Sequence, residues 1–291
     1  MLKLVVPKGS LEAQTLALLE QADLTVRRGS ERDYHGTIDD PRIERVSILG
    51  PQEIPIYVAD GHFDLGITGL DWVEETESEV EVLTGLQYSG RAGGVARIVL
   101  AVPQGSVADR ADQMRPGSRI STEYPTITRR AFEKLGIPVE VLLSYGATEA
   151  KVPEIVDAVV EVTESGSTLR RAGLKIIETL LESHTVLIAN RASAGDPAKR
   201  KAMEQLQILL LGAMAARGRV LVKLNVGAAD LDNVVAILPA MKAPTISKLT
   251  TEDSYAVETV VNKSEINVLI PQLKERGASD IIELPLSKIV P

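Results

Sequence analysis

The sequence predicts an α/β fold followed by a small separate domain, and three observations support this prediction. Short runs of β-branched and other apolar residues alternate along most of the chain with longer segments of helical periodicity. One uninterrupted helical pattern over residues 196–218 ends this alternation. Residues 220–285 then follow the order strand, helix, strand, strand, helix, strand. Because strands that alternate with helices usually pair in parallel, we expect largely parallel sheets.

The elements of the first part are predicted from apolar runs and from helix ends. The first strand, residues 2–6, precedes a helix over residues 11–22 whose leucines form an apolar stripe. Another helix, residues 126–135, stops at Gly136. The remaining predicted helix is 53–60, and the remaining strands are 45–49, 63–68, 97–102, 119–122, 139–144, 157–162 and 185–189.

The second part begins after a long connecting helix. Residues 196–218 start with Asp-Pro and end at Gly218, as expected for one continuous helix. The βαββαβ order that follows is the ferredoxin-like pattern, so we predict a ferredoxin-like domain. Its strands are predicted at 220–226, 245–249, 255–261 and 280–285, and its helices at 229–238 and 264–276.

Composition excludes several classes of protein. With 44% hydrophobic and 25% charged residues in 291, the chain has a globular composition and is not disordered. The net charge of −8 disfavours nucleic-acid binding, because a phosphate backbone is repelled. The absence of cysteine excludes disulfides and thiolate chemistry. No signal peptide or membrane-spanning apolar run is found, so we expect a cytoplasmic protein.

The most informative segment is DAVVEVTESGSTL, residues 157–169. A buried strand runs into a turn rich in Gly, Ser and Thr, and a helix begins at about Ser167. Main-chain N–H groups at such a turn, together with the helix dipole, favour a bound phosphate. The alternative is a plain strand–turn–helix in which Ser167 is only the N-cap.

Two acids accompany this turn. Asp157 and Glu161 are four residues apart on the predicted strand, so both side chains leave by the same face. Two carboxylates beside a phosphate site suggest recognition of sugar hydroxyls or of a bound Mg²⁺.

Together with other segments, this region resembles the ATP phosphoribosyltransferase family. The resemblance extends over nearly the whole chain, and it depends on the order and spacing of the segments. These segments are VVPKGSL (5–11), EIP…ADGHFDLGITG (53–69), ARIVLAVP (96–103), RISTEYPTITRR (119–130), GATEAKVPEIVDAVVEVTESGSTL (146–169), ILPAMKAPTISKL (237–249) and KERGASDIIELPLSKI (274–289).

The resemblance implies a fold, a reaction and an assembly. The fold is a two-lobed catalytic unit similar to periplasmic binding proteins, with lobe I at residues 1–95 and 180–217, lobe II at 96–179, and a regulatory domain at 218–291. The reaction, the first step of histidine biosynthesis, joins ATP to 5-phosphoribosyl 1-diphosphate (PRPP), giving N1-(5-phosphoribosyl)-ATP and diphosphate. Mg²⁺ accompanies the substrates, histidine inhibits, and the protein assembles as dimers and hexamers.

The resemblance also suggests roles for individual residues. No dedicated metal site is expected, since Mg²⁺ comes with the substrates and Asp157 and Glu161 are its candidate protein ligands. The effector region is placed near Thr245. The catalytic candidates are Lys8, Asp157 and Glu161. The PRPP loop comprises Thr163, Glu164, Ser165, Gly166, Ser167, Thr168 and Leu169. The candidates for ATP or diphosphate binding are Gly9, Ser10, Gly69, Arg97, Arg119 and Tyr124.

Several residues also have a simpler, structural interpretation. Lys8, Arg97 and Arg119 are equally consistent with surface residues, and Tyr124 with the core. The acidic run at residues 74–81 and the lone Trp72 are interpreted as a solvated face and as packing. The three histidines, His35, His62 and His184, show no ligand spacing and are interpreted as structural or surface residues.

Two other functions are alternatives to this enzyme. One is a non-catalytic two-lobed protein that binds a small ligand or regulates a partner. Another is a phosphoribosyltransferase for a free base, which usually carries two adjacent acids before its loop, whereas Val162 follows Glu161 here.

Overall fold

Contacts within the computed structural model separate two units, Met1–Gln207 and Ile208–Pro291. The division falls inside a long helix, Pro197–Ala216, which is the helix predicted over residues 196–218. The boundary predicted from the sequence, after residue 217, lies at the end of this helix, ten residues after the observed division. The division of the catalytic unit into two lobes stays a prediction. The structure describes residues 1–30, 32–88, 95–239, 243–251 and 253–290.

The first unit is a mixed α/β structure. Its strands are β1 (Leu2–Pro7), β2 (Val26–Arg27), β3 (His35–Ile38), β4 (Ile43–Leu49), β5 (Leu65–Gly69), β6 (Val80–Gly85), β7 (Val95–Pro103), β8 (Arg119–Thr122), β9 (Glu140–Leu143), β10 (Ala158–Thr163) and β11 (Leu174–Asn190). Its helices are α1 (Glu12–Gln21), α2 (Ile54–Ala59), α3 (Leu70–Thr76), α4 (Pro125–Leu135), α5 (Ser167–Arg171) and α6 (Arg191–Gly195), and it also contains the first part of α7 (Pro197–Ala216). Short 3₁₀ turns occur at Gly9–Leu11, Ala111–Gln113 and Thr148–Lys151.

These strands form one sheet that the 17-residue strand β11 runs through. The order is β2-β3-β4-β1-β5-β11-β7-β10-β8-β9, and β6 also pairs with β11. Residues 174–184 of β11 pair antiparallel with β7, and residues 185–190 pair antiparallel with β5 and β6. The sheet is therefore mixed, and the expectation of a largely parallel sheet is wrong at its centre. The first half of β11 is not predicted as a strand because charged residues such as Lys175, Glu178 and Glu182 interrupt its apolar residues.

Side-chain alternation assigns the residues of β10 to two different cores. Leu100 of β7 and Val160 of β10 face the cluster that packs against α4. Val159 faces the opposite cluster, which includes α5. Because side chains alternate along a strand, Glu161 and Thr163 lie on the same face as Val159.

The second unit has the predicted βαββαβ order. Its sheet is ordered β13-β14-β12-β15, with every neighbouring pair antiparallel, which is the ferredoxin-like arrangement. The helices and strands are β12 (Arg219–Gly227), α8 (Leu231–Val235), β13 (Thr245–Lys248), β14 (Ser254–Asn262), α9 (Ile266–Glu275) and β15 (Ser279–Pro285). This part of the fold prediction is confirmed, although α8 is shorter than expected. No helix in the described part of the chain is both long and apolar enough to cross a bilayer.

Candidate functional site

The predicted phosphate loop is the turn between β10 and α5. Gly166 adopts a left-handed conformation, with φ of 71°. Thr163 Oγ1 accepts a hydrogen bond from the Gly166 amide at 2.8 Å and so closes the turn. The N-cap of α5 is Gly166, and no side chain caps the helix there. The alternative in which Ser167 is the N-cap is therefore wrong, and the Ser167 amide, the first of α5, donates a hydrogen bond to Ser165 Oγ at 3.3 Å.

Replacement of Gly166 would strain the loop and would require neighbouring side chains to move. A Cβ atom at this position would lie 2.9 Å from Ile176 Cδ1 and 3.0 Å from Arg170 Nη1. The positive φ adds strain for any other residue. A bulky substitution at Gly166 would therefore damage the fold of the turn as well as any ligand contact.

Glu161 lies two residues before Thr163 and has an unusual carboxyl group. Among the described residues, its Oε2 is the one buried side-chain polar atom that has no hydrogen-bond partner. Burial raises the pKa of Glu161 to about 7, with further contributions from Glu149 and Glu123, while Lys151 acts in the opposite direction. A buried oxygen without a partner indicates that a donor is missing, and a ligand hydroxyl would supply one.

Asp157 lies at the other end of β10. Its Oδ2 accepts a hydrogen bond from the Arg119 amide at 2.8 Å and lies 3.7 Å from Arg119 Nε. It lines a different cavity of about 450 Å³, together with Ser118 and Pro153. Four strand residues separate it from Glu161, or about 13 Å. The structure therefore does not bring Asp157 or Arg119 to the loop, because a shared strand face does not mean a shared strand end.

A cleft of about 360 Å³ opens beside the loop. Its volume is within the range of small-molecule sites. Of the residues predicted from sequence, it brings together Ser10, Gly69, Tyr124, Thr163 and Glu164. Residues that the sequence prediction did not assign to a site also line it, among them Gln14, Asp71, Trp72, Ser183 and His184.

The wall of this cleft contains a buried hydrogen-bonded group and an aromatic pair. Asp71 accepts hydrogen bonds from Tyr124 Oη at 2.8 Å and from Ser183 Oγ at 2.6 Å. The Trp72 ring stacks on Tyr124 with centroids 4.6 Å apart. Burial and the carboxylate of Asp71 raise the pKa of Tyr124. Tyr124 is buried in a core cluster against which Trp72 packs, as the simpler interpretations of both residues expect, and both also line the cleft.

The acidic run is not uniformly solvated. Glu75 is buried, and its carboxylate accepts hydrogen bonds from the amides of Thr126 and Ile127 at 2.9 and 3.0 Å. These amides begin α4, where a negative charge is favourable. The solvated-face interpretation is therefore wrong for Glu75, which fixes α4 against α3.

The remaining candidates lie at varied distances from the loop. Lys8 is exposed, donates a hydrogen bond to Tyr34 Oη at 3.1 Å and lies over the Tyr34 ring. Gly9, with φ of 82°, begins the 3₁₀ turn that leads to Ser10. Arg97 pairs with Thr163 across β7 and β10, which places it beside the loop.

Outside the first unit, Thr245 is exposed on β13, opposite Glu258 of β14. The described residues contain no group of three His, Cys, Asp or Glu side chains that could hold a metal ion. The role of Thr245 and the presence of Mg²⁺ therefore stay predictions.

Comparisons with known proteins place the chain in one family. The family model described as ATP phosphoribosyltransferase (HisG) matches residues 50–211, and the model of the HisG C-terminal domain matches residues 216–288. The chain is 44% identical to the ATP phosphoribosyltransferase of Pelotomaculum thermopropionicum over 292 residues, covering 100% of this chain and 99% of the relative. It is 45% identical to that of Koribacter versatilis over 289 residues, covering 99% of each.

Solved structures were compared with the chain as well. The chain is similar to a chain of the ATP phosphoribosyl transferase (HisG:HisZ) complex from Thermotoga maritima, with a TM-score of 0.62 and 25% identity, covering 72% of this chain and 99% of the other. It is also similar to the alkanesulfonate-binding protein SsuA from Xanthomonas axonopodis pv. citri, with a TM-score of 0.44 and 17% identity, covering 74% and 72%. The chain belongs to the ATP phosphoribosyltransferase family of histidine biosynthesis, in the long form that carries a C-terminal domain.

Proposed function

We propose that this chain transfers the phosphoribosyl group of PRPP to N1 of the adenine of ATP and releases diphosphate. The observation that carries the proposal is the coincidence, at one end of β10, of an anion-binding turn and a buried carboxyl group without a partner. A sugar phosphate satisfies both, because its phosphate accepts from the amides and its hydroxyls donate to Glu161. The adjoining cleft would hold ATP.

The reaction requires little chemistry from the protein itself. The N1 lone pair forms the bond to C1 of the ribose, and the C1–O bond electrons leave with diphosphate. Neither a protein nucleophile nor a protein base is needed, so the protein acts by aligning two polyanions and by stabilising the departing charge.

Mg²⁺ fits this site as an ion carried by the substrate. Mg²⁺ is commonly held by one or two carboxylates together with substrate phosphates, and it neutralises charge on the diphosphate. Glu161 is the predicted ligand that lies at the loop, whereas Asp157 lies too far away. The described acids need not form a metal cage for such an ion.

Regulation and assembly are proposed from the resemblance to the family. The second unit would bind histidine as a feedback inhibitor, with Thr245 in the effector region, and the chain would assemble as dimers and hexamers. The Thermotoga maritima structure is a complex of HisG with HisZ, which is a property of that protein. The cytoplasmic location also stays a prediction.

The activity is tested by mixing the protein with ATP, PRPP and Mg²⁺ and following the near-ultraviolet absorbance of the adduct. Formation of the adduct supports the proposal. No adduct under varied substrate and salt conditions would remove it.

The loop is tested by Ser167→Asp. Its control is Ser167→Asn, because asparagine has the same size and shape as aspartate but no charge. An acid in the first turn stabilises a helix but repels a phosphate there. We therefore expect Ser167→Asp to raise the KM for PRPP by about a hundredfold, or about 2.7 kcal/mol, without lowering the melting temperature. Ser167→Asn should stay close to the wild type. Equal kinetics for the two variants would move the phosphate site elsewhere.

A further inference from the structure

Lys151 lies at the same strand ends as the loop and has no assigned role. It ends the 3₁₀ turn Thr148–Lys151, which packs against β8 and β10. Its Nζ donates to Ser144 Oγ at 2.6 Å and approaches Ser121 Oγ at 3.4 Å. Ser144 is buried and also bonds Thr148 Oγ1 at 2.8 Å, so the hydroxyl that holds the ammonium is itself fixed.

The ammonium lies near acids but forms an ion pair with none of those that the structure describes. Glu161 is within electrostatic range of Lys151 and also of Glu123 and Glu149. In the described stretches of the chain, no carboxylate forms an ion pair with Lys151 within 4.0 Å. An ammonium has three donors, and here its close partners are neutral hydroxyls. This half-buried cation therefore retains both charge and donor capacity for an anion.

The position of Lys151 suits the diphosphate of PRPP. Glu161 precedes Thr163 by two strand residues, about 6.6 Å, and lies on the same face. When the 5-phosphate lies in the loop, Glu161 is in reach of the ribose hydroxyls. The diphosphate is attached to C1, next to the carbon that carries the 2-hydroxyl. The Lys151 ammonium, which lies on the side of β8 and β9, would therefore be beside the diphosphate of the bound substrate.

We infer that Lys151 binds the diphosphate of PRPP and stabilises it as a leaving group, an inference that rests on the proposed function. As the C1–O bond breaks, its electron pair moves onto the diphosphate oxygen and adds one negative charge there. No proton needs to move. The ammonium interacts more strongly with the more highly charged product, so it favours the transition state over the bound substrate.

Replacement of Lys151 by Met tests this role, with Lys134→Met as the control. Lys134 is an exposed lysine near the end of α4. Loss of a charged hydrogen bond predicts a KM for PRPP about ten- to a hundredfold higher and a lower kcat, with the KM for ATP unchanged. Inorganic diphosphate with Mg²⁺, measured by calorimetry, should lose affinity to a similar degree. Lys151→Arg should restore part of both, and Lys134→Met should change neither.

A purely structural lysine gives a different result. In that case Lys151→Met lowers the melting temperature but leaves the KM for PRPP and the diphosphate affinity unchanged, which overturns the inference while adduct formation by the wild type still supports the proposed function. If the wild type forms no adduct, the proposed function fails, and diphosphate affinity alone decides the role of Lys151.

A second measurement uses the wild-type protein and does not depend on the variant folding. Diphosphate should protect Lys151 from acetylation, read by mass spectrometry, several-fold more than it protects Lys134. Equal protection of the two lysines, or no binding of diphosphate at all, overturns the inference.

Discussion

The two ends of strand β10 contrast in chemistry although they carry acids on the same face. At the end near Thr163, Glu161 has a buried oxygen without a hydrogen-bond partner among the described residues and lies two residues before Thr163, where the turn to α5 begins. At the other end, Asp157 accepts from the Arg119 amide and is satisfied within the protein. A carboxylate that the fold leaves unsatisfied is available to a ligand, whereas one that ties two strands together is part of the scaffold.

Of the variants that compare the two ends of β10, Glu161→Gln at the loop end should have the largest effect, because it removes the ionisable group and keeps its size. If Glu161 accepts from ribose hydroxyls, loss of a charged acceptor predicts kcat/KM for PRPP about ten- to a hundredfold lower. The melting temperature should not fall, because an unsatisfied buried carboxylate is removed. Steady-state kinetics and calorimetry measure both quantities. A variant as active as the wild type would remove the contrast between the two ends.

The second prediction uses the pH dependence of stability. The pKa of Glu161 is raised to about 7 in the folded protein, above its ordinary value of 4.5. Between these two values the folded state binds more protons than the unfolded state, so the contribution of Glu161 makes stability fall as pH rises. Above the folded pKa this loss is complete.

Glu161→Gln should therefore flatten the decrease in unfolding free energy between about pH 4.5 and 7. Urea unfolding at a series of pH values, compared with Asp157→Asn, isolates the effect. If both variants keep the wild-type slope, Glu161 titrates normally and its burial has no electrostatic consequence. The ionised form accepts hydroxyl protons best, so PRPP affinity should rise over the same pH range.

Features that depend on neighbouring residues could be predicted from the sequence. The turn after β10 is contiguous from Thr163 to Thr168, so its Gly, Ser and Thr content indicated its chemistry directly. The βαββαβ order of the second unit followed from local periodicity and turn residues. Such features require no knowledge of which distant elements meet.

Features that depend on distant pairing could not be predicted. Ser183 donates a hydrogen bond to Asp71 although the two residues are 112 positions apart in the sequence. This contact exists because β11 extends through a segment too polar to be predicted as a strand. Glu75 reaches the start of α4 for a similar reason, since the packing of α3 on α4 has no local pattern. Alternation along a strand predicts the face on which Asp157 lies but not its distance from the loop, so the sequence does not show that the two are separated.

The smallest effect is expected at the distal end, for Asp157→Asn. The amide is isosteric and its oxygen can still accept from the Arg119 amide, so the loss is limited to the charge and its 3.7 Å approach to Arg119 Nε. Both side chains are partly exposed, so we expect a loss of at most about 1 kcal/mol of unfolding free energy. The KM for PRPP and kcat should be unchanged, because the carboxylate lies about 13 Å along the strand from Glu161. Denaturant unfolding and the absorbance assay check both points, with Glu161→Gln measured in parallel. If Asp157→Asn instead abolished activity at unchanged stability, a substrate would have to extend to this end of β10, and Asp157 would return to the active site.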